Sequence, residues 1–199
     1  SNSIKLDPTL AHAYLNMGVS YQELGEFKQA LECYNCSIEI DNNFYEARNN
    51  RGLLLLLLGL YEEGWLDCEA RLKIEKFRVP DQCAQKLWDG QSDIAGKTIF
   101  IYREQGLGDT FQYCRFFQLL HAGGAKILFS PHAETASVIS SMVVPINFVD
   151  HRIDNLEFDL CCPLASLPFV FKINETNIPS PVPYLFASPP VSYTHLTLP

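Results

Sequence analysis

Long hydrophobic runs are missing from this chain. The longest apolar stretch is Leu53 to Leu58, where a membrane-spanning helix needs about 20 residues. No basic, apolar, cleavable leader opens it either, so a cytoplasmic location is the expectation. Positive charge is scarce: 15 Lys and Arg stand against 23 Asp and Glu, a formal net charge of −8. Such a surface repels phosphate backbones and anionic lipid, which disfavours nucleic-acid and membrane-surface partners. A metal-ligand pattern is also lacking. The seven cysteines are scattered at 33, 36, 68, 83, 114, 161 and 162, and only Cys33-x-x-Cys36 has ligand spacing. Without a second Cys or His pair it supplies half a zinc site, so no metal is expected. Several cysteines sit among apolar residues, as in Leu160-Cys161-Cys162, and read as reduced thiols in a core.

What is present suits a folded chain. A hydrophobic fraction of 47% and a charged fraction of 19% are those of a globular protein able to bury a core. The length of 199 residues accommodates two domains.

The chain repeats itself with a period of 34: Asp7 falls on Asp41, Ala13 on Ala47, Asn16 on Asn50, Gly18 on Gly52, Gly25 on Gly59 and Phe27 on Tyr61. Within the first unit the order Tyr14, Met17-Gly18, Tyr21, Ala30, Tyr34 resembles the tetratricopeptide repeat, a helix-turn-helix with bulky, small and aromatic residues at set places. Two units match, 11–44 and 45 to about 76, with a remnant of an earlier one in Ile4 to Pro8. Gly18 and Ala30 are expected to let two helices approach closely, and Gly25 to end the first in a left-handed turn. The second unit reads Leu-rich all round, so the helix expected over 45–58 is expected to be buried by whatever follows it. Because such arrays usually need about three units, the chain is expected either to be truncated at its N-terminus or to be capped by the next domain. A stacked array presents a concave surface to a protein or peptide. Asn16, Asn49, Asn50 and Arg51 are the polar residues expected there.

Composition shifts at Phe77 to Gly96, which reads as a linker with one anchored aromatic, Trp88. Strands are then expected at 98–102, 126–129, 146–149 and 158–161, and helices at 110–122 and 133–142. Alternation of this kind implies right-handed crossovers onto a parallel sheet. Ligands bind beyond the carboxyl ends of such strands, where Arg103-Glu104-Gln105-Gly106-Leu107-Gly108-Asp109 leaves the first. The third glycine of a dinucleotide fingerprint is absent, since Phe111 stands in its place. Asp109 at the helix start is open to two readings, an N-cap or a base that takes a hydroxyl proton. Arg115 either holds an anion or pairs with Glu104.

Trp88-x-Gly90, Gly96-Lys97-Thr98, Glu104-Gln105-Gly106-Leu107-Gly108-Asp109-Thr110 and Arg115-Phe116, with Pro163 to Pro168 and Pro183-Tyr184-Leu185, resemble the first domain of bacterial repeat proteins related to heptosyltransferases, glycosyltransferase family 9. That resemblance implies a Rossmann-like half of a GT-B fold over 97–187, inverting transfer of a sugar from a nucleotide sugar to a hydroxyl, and no further cofactor. It makes Asp109 the catalytic base and places Glu104, Gln105, Gly106, Gly108, Thr110 and Arg115 around the ligand. Such enzymes carry a second half that binds most of the donor, so the chain by itself is expected to be inactive. Residues 188–199, His195 among them, resemble translated sequencing-adapter DNA and are set aside. The expectation is thus α plus α/β: tetratricopeptide hairpins over 1–76, a linker over 77–96, then the Rossmann-like half. The rival reading is a non-catalytic adaptor that binds a protein partner.

Overall fold

The computed structural model describes residues 8–150, 156–180 and 182–186; most of the Ile4–Pro8 remnant and the 188–199 tail lie outside them. Two compact units result, one ending at Arg78 and completed by Lys172–Thr176, the other running from Val79 to Phe171 and on from Asn177.

The first unit is two helical hairpins: α1 (Pro8–Glu23) with α2 (Phe27–Ile40), and α3 (Tyr45–Leu57) with α4 (Tyr61–Cys68). Short 3₁₀ turns at Glu69–Lys73 and Glu75–Phe77 follow. Gly25 at φ 77° and Gly59 at φ 79° end α1 and α3 in the left-handed region, where a side chain is strained. Beside each glycine the chain closes with a six-residue backbone bond, Glu26 N–H to the Tyr21 carbonyl at 2.8 Å and Leu60 N–H to the Leu55 carbonyl at 2.9 Å. Close approach is built on the other two glycines. A Cβ on Gly18 would stand 2.5 Å from the Tyr34 ring. On Gly52 it would stand 2.7 Å from the Cys68 backbone nitrogen and 2.9 Å from the Gly64 carbonyl oxygen. Around these contacts Ala30, Tyr34 and Leu54 form one buried cluster, and Ala11, Ile38, Phe44 and Ala47 another.

The leucine run behaves differently from expectation. Leu54 is fully buried, but Leu53, Leu57 and Leu58 are 51%, 64% and 40% exposed. A helix buries the stripe that meets its neighbours and no more, so the leucines that end α3 divide between buried and exposed by position. The Lys172–Thr176 segment completes this unit through Ile173, which is buried and whose carbonyl accepts the Trp65 indole N–H at 2.8 Å.

The second unit is α/β. Strands β1 (Thr98–Tyr102), β2 (Lys126–Ser130), β3 (Ile146–Phe148) and β4 (Leu160–Pro163) form a wholly parallel sheet in the order β3-β2-β1-β4. Central β1 is buried from Ile99 to Tyr102, as a strand covered on both faces must be. The expected helix over 110–122 starts earlier and is broken: α5 (Leu107–Tyr113), a 3₁₀ turn at Cys114–Phe116, then α6 (Phe117–Ala122). Helix α7 (Ala133–Ile139) is shorter than expected, β4 begins two residues later than expected, and a short α8 (Leu167–Val170) follows it.

The segment expected as a linker, 77–96, folds onto this second unit from Val79 onward. Cys161 in β4 donates its N–H to the Lys86 carbonyl at 2.7 Å and accepts the Trp88 N–H at 2.8 Å. Trp88 is buried, and its ring meets Phe171 edge-on at 5.4 Å. This pairing brings Cys83 beside β4, where it forms a disulfide with Cys161, the Cα atoms 5.6 Å apart and the residues 78 apart in sequence. The expectation of reduced core thiols is therefore corrected for Cys161 and its partner Cys83; Cys33, Cys36, Cys68, Cys114 and Cys162 form no disulfide. A disulfide belongs to oxidising surroundings more often than to the cytosol, so cysteine usage no longer argues for a cytoplasmic location. Among the described residues no helix is long and apolar enough to cross a membrane.

Gly52→Ala is expected to cost about 2–3 kcal/mol, because the new methyl meets backbone atoms. Gly25→Ala meets nothing within 4 Å and is expected to cost only about 1 kcal/mol, for its left-handed φ. Urea unfolding of the two variants tests the order; a Gly25 variant that loses more would invert the account.

Candidate functional sites

The residues singled out by sequence are distributed over both units. In the helical unit a groove opens between α1 and α3, lined by Val19, Gln22, Glu23, Tyr34, Asn50 and Leu53. Its floor is rigid, since the buried Tyr34 donates its hydroxyl to Gln22 Oε1 at 2.9 Å. Asn50 lines the groove. Asn49 is half-buried, and Asn16 is exposed with its carbonyl accepting the Ser20 hydroxyl.

Arg51 is not in the groove. Its guanidinium grips Asp67 of α4 through both carboxylate oxygens, at 2.6 and 3.1 Å, and donates to Asn35 Oδ1 of α2 at 2.7 Å. One step along a helix turns a side chain by roughly 100°, so Arg51 faces the second helices while Asn50 faces the groove. Its role is to tie the two hairpins together. Asp67 is buried, and a carboxylate at such a site needs the pairing it receives.

In the α/β unit the residues of interest cluster at the carboxyl edge of the sheet. Asp109 is half-buried and is not the N-cap. Gly106 takes that place, and Asp109, three residues on, accepts the Gly106 N–H on Oδ2 at 3.1 Å. This is one arm of a capping box; glycine has no side chain to return the other. Gly106 sits at φ −74°, a conformation open to any residue, so glycine is not required there for its backbone freedom. What the two glycines do is leave the surface bare: Gly106, Leu107 and Gly108 are all exposed.

Thr110 turns inward, buried, with its hydroxyl donating to the Gly106 carbonyl at 2.9 Å. Arg115 meets Tyr184 instead of Glu104: its guanidinium lies 4.8 Å from that ring, donates to the Tyr184 hydroxyl at 3.1 Å, and donates from Nε to the Gln112 carbonyl. Glu104 and Gln105 are half-buried directly after β1.

Two residues given no site role from the sequence shape this edge. Arg103 donates to the Pro131 carbonyl at 2.7 Å and to the Ser130 carbonyl at 3.2 Å. His132 donates from Nε2 to the Gln105 carbonyl at 3.0 Å. Together they lace the loop after β1 to the loop after β2. A signal existed for both, since each falls within two residues of a strand's carboxyl end. Among the described residues no group of three or more His, Cys, Asp or Glu is placed to hold a metal ion.

The class these features define is a helical-hairpin repeat unit accompanied by a parallel α/β unit. Residues 11–44 match the tetratricopeptide repeat family, so the first hairpin is a repeat of that kind. Over 119 residues the chain is 32% identical to Protein FlbA of Caulobacter vibrioides, a match covering 56% of this chain and 19% of FlbA. The chain thus spans about a fifth of the length of this curated relative. The heptosyltransferase resemblance draws no support from either match.

Burial raises the thiols of Cys68 and Cys114 to about 12, only partly offset by the neighbouring Arg71 and Arg115. At pH 8 the thiolate fraction of such a group is roughly 10⁻⁴. Iodoacetamide at that pH is expected to label the half-buried Cys36 well before either; equal labelling of all three in the native protein would show that these sites are open.

Proposed function

We propose that the chain is a protein-binding module whose working surface is the groove between α1 and α3. The observation that carries this is the exposed Leu53 on its wall, 51% exposed, with Leu57, 64% exposed, one helical turn further along the same face of α3. Beside them stand the amides of Asn50 and Gln22 and the carboxylate of Glu23. That combination suits an extended protein segment with an apolar anchor, a backbone to engage the amides and a basic side chain for Glu23. Leu53→Glu is expected to weaken binding of basic-apolar peptides at least tenfold, about 1.4 kcal/mol or more. Leu66→Glu, also exposed but outside this groove, leaves it unchanged. Calorimetric titration that finds both variants equally impaired, or no peptide bound by the parent chain, would refute the groove.

A second reading concerns the α/β unit and is favoured by Asp109 at the bare edge of the sheet. There the unit acts as the acceptor half of a sugar transferase, with Asp109 taking the proton of the attacking hydroxyl and a nucleotide sugar as donor. The carboxylate already holds the Gly106 N–H, which orients it. In a longer protein that carries this chain, Asp109→Asn is expected to abolish sugar transfer, while circular dichroism shows the fold retained. Unchanged transfer would exclude Asp109 as the base.

A further inference from the structure

We propose that Met17, Cys33 and Cys36 form a binding site for one copper(I) ion, held by two thiolates and a thioether in a surface depression of the first hairpin. By spacing alone Cys33-x-x-Cys36 is half a zinc site. The fold adds a further sulfur from the other helix. Met17 and Cys33 each stand eight residues from the turn at Gly25, and Tyr14 and Cys36 each eleven. Helices that fold back on each other therefore bring these pairs to matching heights. All four residues line one depression.

Within α2, Cys33 and Cys36 are three residues apart and share a face. Burial, and after it the neighbouring Cys36, raise the Cys33 thiol above its ordinary range, so the two sulfurs are close enough to act on each other. A bound cation relieves that repulsion and holds both sulfurs as thiolates. Cys33 is 7% exposed and Cys36 half-buried, while Met17 is 46% exposed. The methionine side chain turns about three bonds, which lets its sulfur close over an ion seated on the cysteine pair.

The donor set selects the ion. Thiolate and thioether sulfurs are soft and favour copper(I). Structural zinc takes four ligands, and among the described residues no further His, Cys, Asp or Glu completes the pair. Calcium and magnesium take oxygen ligands and are poorly served by sulfur. Tyr14 and Tyr21, half-buried in the same depression, put aromatic surface beside the sulfurs, and the Glu32 carboxylate adds negative charge. The depression shares no residue with the peptide groove, so either proposal can fail without the other.

Anaerobic titration of copper(I) into the full chain under ascorbate, against a chromogenic copper(I) chelator, tests the site. One equivalent is expected to bind, with a thiolate-to-copper charge-transfer band in the ultraviolet and three sulfurs around copper by X-ray absorption. Bound copper is expected to protect Cys36 from iodoacetamide. Cys36→Ser is expected to abolish binding. Met17→Leu, which keeps the bulk and removes the sulfur, is expected to weaken it about tenfold or more, since even the outer-shell partners of a metal count on that scale. Met17 is exposed and Cys36 half-buried, so neither change empties a core position. A parent chain that binds no copper, or a Cys36→Ser chain that binds as the parent does, overturns the proposal. So does unchanged affinity in Met17→Leu, which would leave a bare dithiol, and so does zinc that displaces the copper at equal concentration.

Discussion

Two helices can lie against each other at close range only where one of them presents no side chain at the crossing. In the helical unit that condition is met at Gly18, which admits the Tyr34 ring, and at Gly52, which admits the backbone of α4 at Gly64 and Cys68. Everything else in the unit follows from those two contacts. They set the spacing at which Ala30 and Leu54 become fully buried and at which Arg51 can reach Asn35 and Asp67 at once. They also decide which leucines of α3 are left facing water.

The α/β unit depends on a different constraint, the covering of its central strand. With β1 buried on both faces, the loops at its carboxyl edge are held by Arg103 and His132. At the opposite flank of the sheet, the 79–88 segment is joined to β4 by backbone bonds and by the Cys83–Cys161 disulfide. A buried disulfide spanning 78 residues restricts the unfolded chain more than a short-range one.

Much of the fold was legible because it rests on local chemistry. The turn glycines Gly25 and Gly59, the small residues at the helix crossings and the β-branched run of β1 announce themselves by type and spacing. The sites were less legible. Asn50 and Arg51 are neighbours in sequence and were grouped together, yet a helix sends them to different faces. Asp109 is open in the sequence to cap or base; in the structure it serves the helix start from three residues inside it, because the helix begins at Leu107. Arg115 carried an expectation of anion or Glu104 pairing, and Tyr184, far along the chain, takes it instead.

The period of 34, the alternation of strand and helix, and the hairpin turns were determined by the sequence alone, since each depends on residues close enough to be read together. The tertiary structure decided which leucines of a uniform run are covered, that Cys83 finds Cys161, and that the supposed linker is part of the sheet's flank. Those outcomes turn on which surfaces meet, and surfaces meet across distances in the chain over which no local pattern carries information.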